Sequence, residues 1–124
     1  LQNISALFLG FYLSSYNGVG EYCAEVGVDV SEFAGFFKEG HKKQYQIASK
    51  NLPGNFSVEK LSKMVKPSLD QQVRTDLNNT AIQNGTTLIE LCRSIASDAQ
   101  NIAETSHFSI VYPELNKILL SGKQ

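Results

Sequence analysis

Two cysteines, Cys23 and Cys92, have the most clearly defined chemistry in this chain, and they are the only cysteines among its 124 residues. Each lies near the end of a predicted helix among apolar neighbours, which favours one structural disulfide between distant parts of the chain. A metal site needs more ligands, and the two histidines, His41 and His107, are far from both cysteines in the sequence. A cysteine nucleophile needs a neighbouring base, and the local sequence supplies none. We expect a disulfide that stabilises the fold by roughly 4 kcal/mol, with two buried free thiols as the alternative.

The remaining titratable side chains offer little catalytic chemistry. Glu21 and Glu25 are one helical turn apart, but two acids on a helix surface are more often solvated than catalytic. His41 is followed by Lys42 and Lys43, so we expect it to lie on a charged, exposed face. These residues predict no catalytic group and no metal ligand.

Sequence motifs for catalysis or cofactor binding are also missing. Gly18-Val19-Gly20 lacks the third glycine and the strand–turn–helix setting of a dinucleotide loop. The chain contains neither the Gly-x-Ser-x-Gly motif of hydrolases nor a phosphate-binding Gly-Lys-Ser/Thr loop. We therefore expect a protein that is not an enzyme and uses no cofactor.

The composition is that of a globular protein, with 42% hydrophobic and 19% charged residues. The net charge of −1 gives no general attraction to nucleic acid. The longest apolar run, Ala6-Leu7-Phe8-Leu9, is far too short to span a membrane. Residues 1–124 are expected to form a single domain.

The charges are unevenly distributed along the chain. Residues 1–37 hold four acids and no lysine or arginine, whereas residues 38–66 hold seven lysines and two acids. These two regions either pair with each other between packed helices or present an acidic face to a basic partner.

Apolar residues recur at helical spacing along most of the chain. Pro67 is expected to end or kink the third helix, and residues 105–111 are expected to be irregular or extended. The predicted helices cover approximately residues 3–23, 29–48, 57–84 in two parts, 87–102 and 113–122. The fold class is therefore all-α, a single-domain bundle of four to five helices with one long-range disulfide.

Three phenylalanines, Phe33, Phe36 and Phe37, lie close together on the second predicted helix. We expect them to belong to the core. The alternatives are the lining of an apolar pocket and the face of a dimer.

The chain resembles small periplasmic helical proteins of Gram-negative bacteria, among them immunity proteins that neutralise the peptidoglycan-cleaving amidase toxins of type VI secretion. This resemblance implies a helical fold, a disulfide, a periplasmic or otherwise exported location and a homodimer. It assigns no toxin-contact residue. The residues that carry it are Gly10-Phe11-Tyr12, Tyr22-Cys23, Gly27-Val28-Asp29, Phe33, Phe37 and Leu91-Cys92.

The leading hypothesis is thus a binding protein that fills the active-site cleft of a secreted toxin enzyme. One candidate contact segment is the Pro-Gly turn Leu52–Phe56, and the other is Ser106–Tyr112. Glu21 and Glu25 would steer a basic partner. The alternative function is a carrier of a small apolar ligand between helices, held by the phenylalanine cluster. The residues predicted to contact the partner are Pro53, Phe56, His107, Phe108, Tyr112, Glu21 and Glu25.

Overall fold

The computed structural model describes residues 1–122, which fold into eight α-helices and contain no β-strand. Residues 123 and 124 of the predicted domain lie outside the described residues. The all-α class is confirmed, and the count of four to five helices is wrong. Helix α1 covers residues 2–25, as an α-helical part Gln2–Leu13, a π-helical segment Ser14–Gly18 and an α-helical part Val19–Glu25. The others are α2 Ser31–Gly40, α3 Lys42–Lys50, α4 Val58–Gln83, α5 Leu88–Ser97, α6 Ala99–Thr105, α7 Phe108–Val111 and α8 Pro113–Ser121.

Two breaks account for most of the additional helices. The predicted helix over residues 29–48 is divided at His41, where φ is −106° and ψ is 13°. The predicted helix over residues 87–102 is divided at Asp98, where φ is −121° and ψ is 38°. In each case a single residue with φ and ψ outside the α-helical region ends one helix, and the next residue begins another. The segment expected to be irregular, residues 105–111, contains the short helix α7.

Pro67 does not end its helix, since α4 is a single helix of 26 residues that contains this proline. A proline inside a helix removes one backbone hydrogen bond and costs about 3 kcal/mol. Contacts on both sides of Pro67 hold α4 against α1. Lys66 pairs with Glu21, and Val73 is buried about two turns later.

Side-chain caps are present at two helix starts. The hydroxyl of Ser57 accepts the backbone N–H of Lys60 at 3.2 Å, and that of Thr87 accepts the N–H of Glu90 at 3.2 Å. Each bond satisfies a donor that the first turn would otherwise leave unpaired. Gly122 ends α8 in a left-handed conformation with φ of 69°, as its position predicts.

The core is rich in aromatic side chains and contains the disulfide. Cys23 on α1 is bonded to Cys92 on α5, with their Cα atoms 5.6 Å apart, and both residues are fully buried. The predicted disulfide is confirmed. Helix α1 also packs on α3 and on α8, so the first helix lies against both halves of the chain, and α2 packs on α6. The largest fully buried side chains are Phe8, Phe37, Phe108, Leu9 and Leu119.

The π-helical segment brings α1 close to α4 at Gly18. A Cβ atom at this position would lie 2.8 Å from Cγ2 of Val73, which is closer than real contacts allow. The glycine is therefore required by packing. In residues 1–122, no helix combines the length and the apolar composition needed to cross a membrane.

Candidate partner-binding site

Helix α7 and the residue after it expose three consecutive apolar side chains. Ile110 is 64% exposed, Val111 47% and Tyr112 42%. Single exposed apolar residues are ordinary on protein surfaces, but a contiguous run is unusual unless it has a function. Tyr112 and the exposed Leu7 also line one open cleft of about 390 Å³ between α1 and α4.

Phe108 and His107 fix this helix to the rest of the fold. Phe108 is fully buried, and its backbone N–H donates to Nε2 of His41 at 2.9 Å. His107 caps α7, because its Nδ1 accepts the backbone N–H of Ser109 at 3.0 Å. Nε2 of His107 donates to the carbonyl oxygen of Gly40 at 2.8 Å. The apolar run is therefore held on a rigid support.

His41 is the buried partner in this arrangement, so the expected exposure of His41 is wrong. Its Nδ1 donates to the carbonyl oxygen of Phe37 at 2.8 Å. Its ring stacks on that of His107 with centroids 4.0 Å apart and planes 11° apart. Burial, with a smaller contribution from His107, lowers the pKa of His41 to about 4, although its bond to Phe37 acts in the opposite direction. The break after Gly40 turns the ring into the core, away from the surface of Lys42 and Lys43.

The predicted contact segment Ser106–Tyr112 is thus only partly available to a partner. Tyr112 is exposed, whereas His107 is partly buried and is used in internal hydrogen bonds. Phe108 is fully buried and packs edge-on against Phe8, so it cannot contact a partner in this structure. Ile110 and Val111 lie within the predicted segment but were not among its predicted contact residues, since a short Ser-Ile-Val run is equally compatible with a buried strand.

The second predicted segment forms a turn in the loop between α3 and α4. The backbone N–H of Phe56 donates to the carbonyl oxygen of Pro53 at 3.2 Å. Phe56 is 41% exposed, and Pro53 is partly buried. Phe56 is therefore accessible, but it stands alone as a large exposed apolar residue within its turn.

Glu21 and Glu25 are paired with cations of α4. Glu21 lies 2.8 Å from Nζ of Lys66, and both carboxylate oxygens of Glu25 accept from Arg74, at 2.6 and 2.7 Å. The hydrogen bond to Glu21 raises the pKa of Lys66. These acids of α1 are therefore paired with bases of α4, as one of the two interpretations of the charge distribution predicts. The pairing weakens the electrostatic field that the acids would present to a basic partner.

The three phenylalanines of α2 do not share one environment. Phe33 and Phe37 are buried in the core, as expected. Phe36 is 44% exposed on another face of the helix, so its expected place in the core is wrong. The three side chains together line neither a pocket nor a single flat surface.

In the described part of the chain, no three His, Cys, Asp or Glu side chains are grouped as metal ligands would be. In comparisons with known proteins, no family model, no curated protein and no solved structure matches the chain.

Proposed function

We propose that this chain is a non-enzymatic binding protein that uses helix α7 and Tyr112 to contact a protein partner. The observation that carries the proposal is the exposed run Ile110–Tyr112, held in place by the buried Phe108 and the histidine stack. Aliphatic and tyrosine side chains on a fixed element are suited to the centre of a protein interface. A rigid contact element also loses little conformational entropy on binding.

The mechanism of such a protein is occlusion. Ile110, the most exposed of the three side chains, would enter a cleft of the partner, and Tyr112 would pack at its edge. Because the buried disulfide joins α1 to α5, the scaffold behind the contact element resists deformation. A partner enzyme would be inhibited by loss of access to its substrate.

The sharpest form of the proposal is an immunity protein that occludes the active site of a peptidoglycan-cleaving amidase toxin of type VI secretion. Its support is the sequence resemblance described above. The disulfide between Cys23 and Cys92 supports the periplasmic or otherwise exported location that this function requires. The homodimer implied by the same resemblance is a competing use of the apolar run.

The decisive experiment compares two aspartate variants in capture from the native periplasm and in amidase inhibition. Ile110→Asp places a charge in the apolar run, and Ile82→Asp is the matched control on α4, where Ile82 is 74% exposed. We expect the wild-type protein and Ile82→Asp to bind an amidase stoichiometrically and to inhibit it, and Ile110→Asp to bind at least about tenfold more weakly.

Two outcomes contradict the proposal. Equal binding by Ile110→Asp and Ile82→Asp would show that the partner uses another surface. The second outcome is a wild-type dimer and a monomeric Ile110→Asp variant, with no amidase bound by either protein. It would show that the apolar run is used for self-association. Light scattering at several protein concentrations measures the second outcome.

The alternative function, a carrier of a small apolar ligand, is not favoured by the phenylalanine cluster on which it was based. Phe33 and Phe37 are packed against other side chains, and Phe36 is directed elsewhere. A carrier would need a different set of residues.

A further inference from the structure

A second surface, separate from α7, has the composition of a small-molecule site. It is an open cleft of about 640 Å³ between α1 and the corner where α2 meets α3. Small-molecule sites usually occupy about 300–1,000 Å³, a range that includes the volume of this cleft. Three tyrosines from two helices line it, namely Tyr12, Tyr16 and Tyr45.

The three tyrosine rings are stacked or tilted against one another. Tyr12 and Tyr16 are parallel within 10°, with ring centroids 5.4 Å apart, and Tyr45 lies 5.1 Å from Tyr12. Tyr12 is almost fully buried, whereas Tyr16 and Tyr45 are partly exposed. Tyr16 belongs to the π-helical segment of α1, a type of irregularity that is frequent at functional sites.

The hydroxyl groups of these tyrosines have no hydrogen-bond partner within residues 1–122. By contrast, Tyr22, outside the cleft, accepts a hydrogen bond from Asn78 at 2.9 Å. A hydroxyl can donate one hydrogen bond and accept two. The cleft therefore offers unused hydrogen-bonding groups beside its aromatic floor.

Two lysines at the α2–α3 corner supply positive charge. Nζ of Lys38 lies 5.9 Å from the ring centroid of Tyr16, within cation–π range, and Lys42 at the start of α3 lines the same cleft. Neither lysine forms a salt bridge with another described residue. Glu39 also lines the cleft, so these three side chains leave one net positive charge.

We propose that this cleft binds a planar aromatic anion, such as an aromatic carboxylate. The ring of the ligand would extend the tyrosine stack, and its anionic group would be bound by Lys38 and Lys42 and by free tyrosine hydroxyls. Offset stacking of aromatic rings favours a flat ligand over an aliphatic one of the same size. The unpaired lysines favour an anion over a neutral ligand. This site is independent of α7 and of the proposed protein partner.

The direct test is a calorimetric titration of the disulfide-intact protein with naphthalene carboxylate, naphthalene methanol and cyclohexane carboxylate. The first compound carries both the flat ring and the charge, and each of the others lacks one of them. We expect naphthalene carboxylate to bind with a dissociation constant on the order of 1 mM or tighter. Each of the other two should bind at least about threefold more weakly.

Matched variants locate the binding. Lys42→Gln should weaken the binding of naphthalene carboxylate about threefold, while Lys43→Gln, the adjacent exposed lysine outside the cleft, should leave it unchanged. Tyr16→Leu keeps an apolar side chain and removes the ring, and it should weaken binding roughly fivefold. Circular dichroism confirms that each variant is folded.

The proposal is overturned if naphthalene carboxylate does not bind at millimolar concentration. It is equally overturned if naphthalene methanol binds as tightly, or if folded Tyr16→Leu and Lys42→Gln bind like the wild type. None of these results bears on the capture experiment with Ile110→Asp, so the two proposals fail separately.

Discussion

His41 and His107 stack with ring centroids 4.0 Å apart, and every ring nitrogen of the pair has a hydrogen-bond partner. Nε2 of His41 accepts a backbone N–H, and Nε2 of His107 donates to a carbonyl oxygen. The two rings are therefore held as opposite neutral tautomers. Through them the α2–α3 corner supports α7.

The first prediction concerns pH. His41 has a pKa of about 4 in the folded protein and an ordinary value of 6.5. Below the ordinary value the unfolded chain takes up a proton that the folded protein does not, so the free energy of unfolding falls until the pH reaches the folded pKa. Between about pH 7 and pH 5 we expect a loss of about 2 kcal/mol.

Urea unfolding at the two pH values measures this loss, and NMR titration assigns it to a residue. The ring protons of His41 should show no titration near 6.5. If they titrate there, the folded protein takes up the proton as readily as the unfolded chain, and the loss of stability between the two pH values should be absent.

The second prediction concerns the disulfide. The double variant Cys23→Ala/Cys92→Ala should lose about 4 kcal/mol of stability, because the unfolded chain is no longer closed over the 69 residues that separate the cysteines. Chemical denaturation measures the difference. A thiol assay on the unfolded, unreduced wild-type chain should detect no free sulfhydryl, and two free sulfhydryls would remove the support for an exported location.

The third prediction concerns the contact between α1 and α4. Gly18→Ala should destabilise the fold by about 1–3 kcal/mol, because the new Cβ would lie 2.8 Å from Cγ2 of Val73. Gly20→Ala is the matched control on the same helix. Its Cβ would meet nothing within 4 Å, so it should gain up to about 1 kcal/mol from helix propensity.

Thermal unfolding shows whether each variant is more or less stable than the wild type. The double variant Gly18→Ala/Val73→Ala has a smaller side chain beside the new Cβ, so it should recover part of the stability that the clash removes. Equal behaviour of Gly18→Ala and Gly20→Ala would show that the two helices separate without cost.

The fourth prediction concerns the pair of Glu25 and Arg74. Both side chains are about half exposed, so the variant Glu25→Gln should lose less than about 1 kcal/mol despite the two short hydrogen bonds. The loss should shrink as salt is added. Asp76→Asn removes an exposed acid in the interior of α4 that has no described ion pair, and it should show neither effect. A larger loss that salt does not change would indicate a buried interaction.

Much of the fold is predictable because local patterns determine it. The apolar spacing marks every long helix, because side chains on one helix face recur every three to four residues. The disulfide also follows from local context, since Cys23 and Cys92 are the only cysteines and both have apolar neighbours.

The features that sequence reasoning missed depend on contacts between distant residues. His41 looks exposed beside two lysines, but its position is determined by Phe108, which follows 67 residues later. Pro67 would end an isolated helix, but the packing of Val73 against Gly18 joins residues 55 positions apart and holds α4 on α1. The exposure of Ile110 also depends on a distant contact, because burial of Phe108 against Phe8 fixes the orientation of α7.

The position of the disulfide also determines what a protease could achieve. Cys23 and Cys92 enclose α2, α3, α4 and the exposed turn at Gly54 and Asn55. A single cut in that turn would leave two polypeptides still joined through sulfur, and the aromatic core would keep its covalent frame. Where proteases are present and reductants are scarce, such a nicked protein would remain a single covalent molecule.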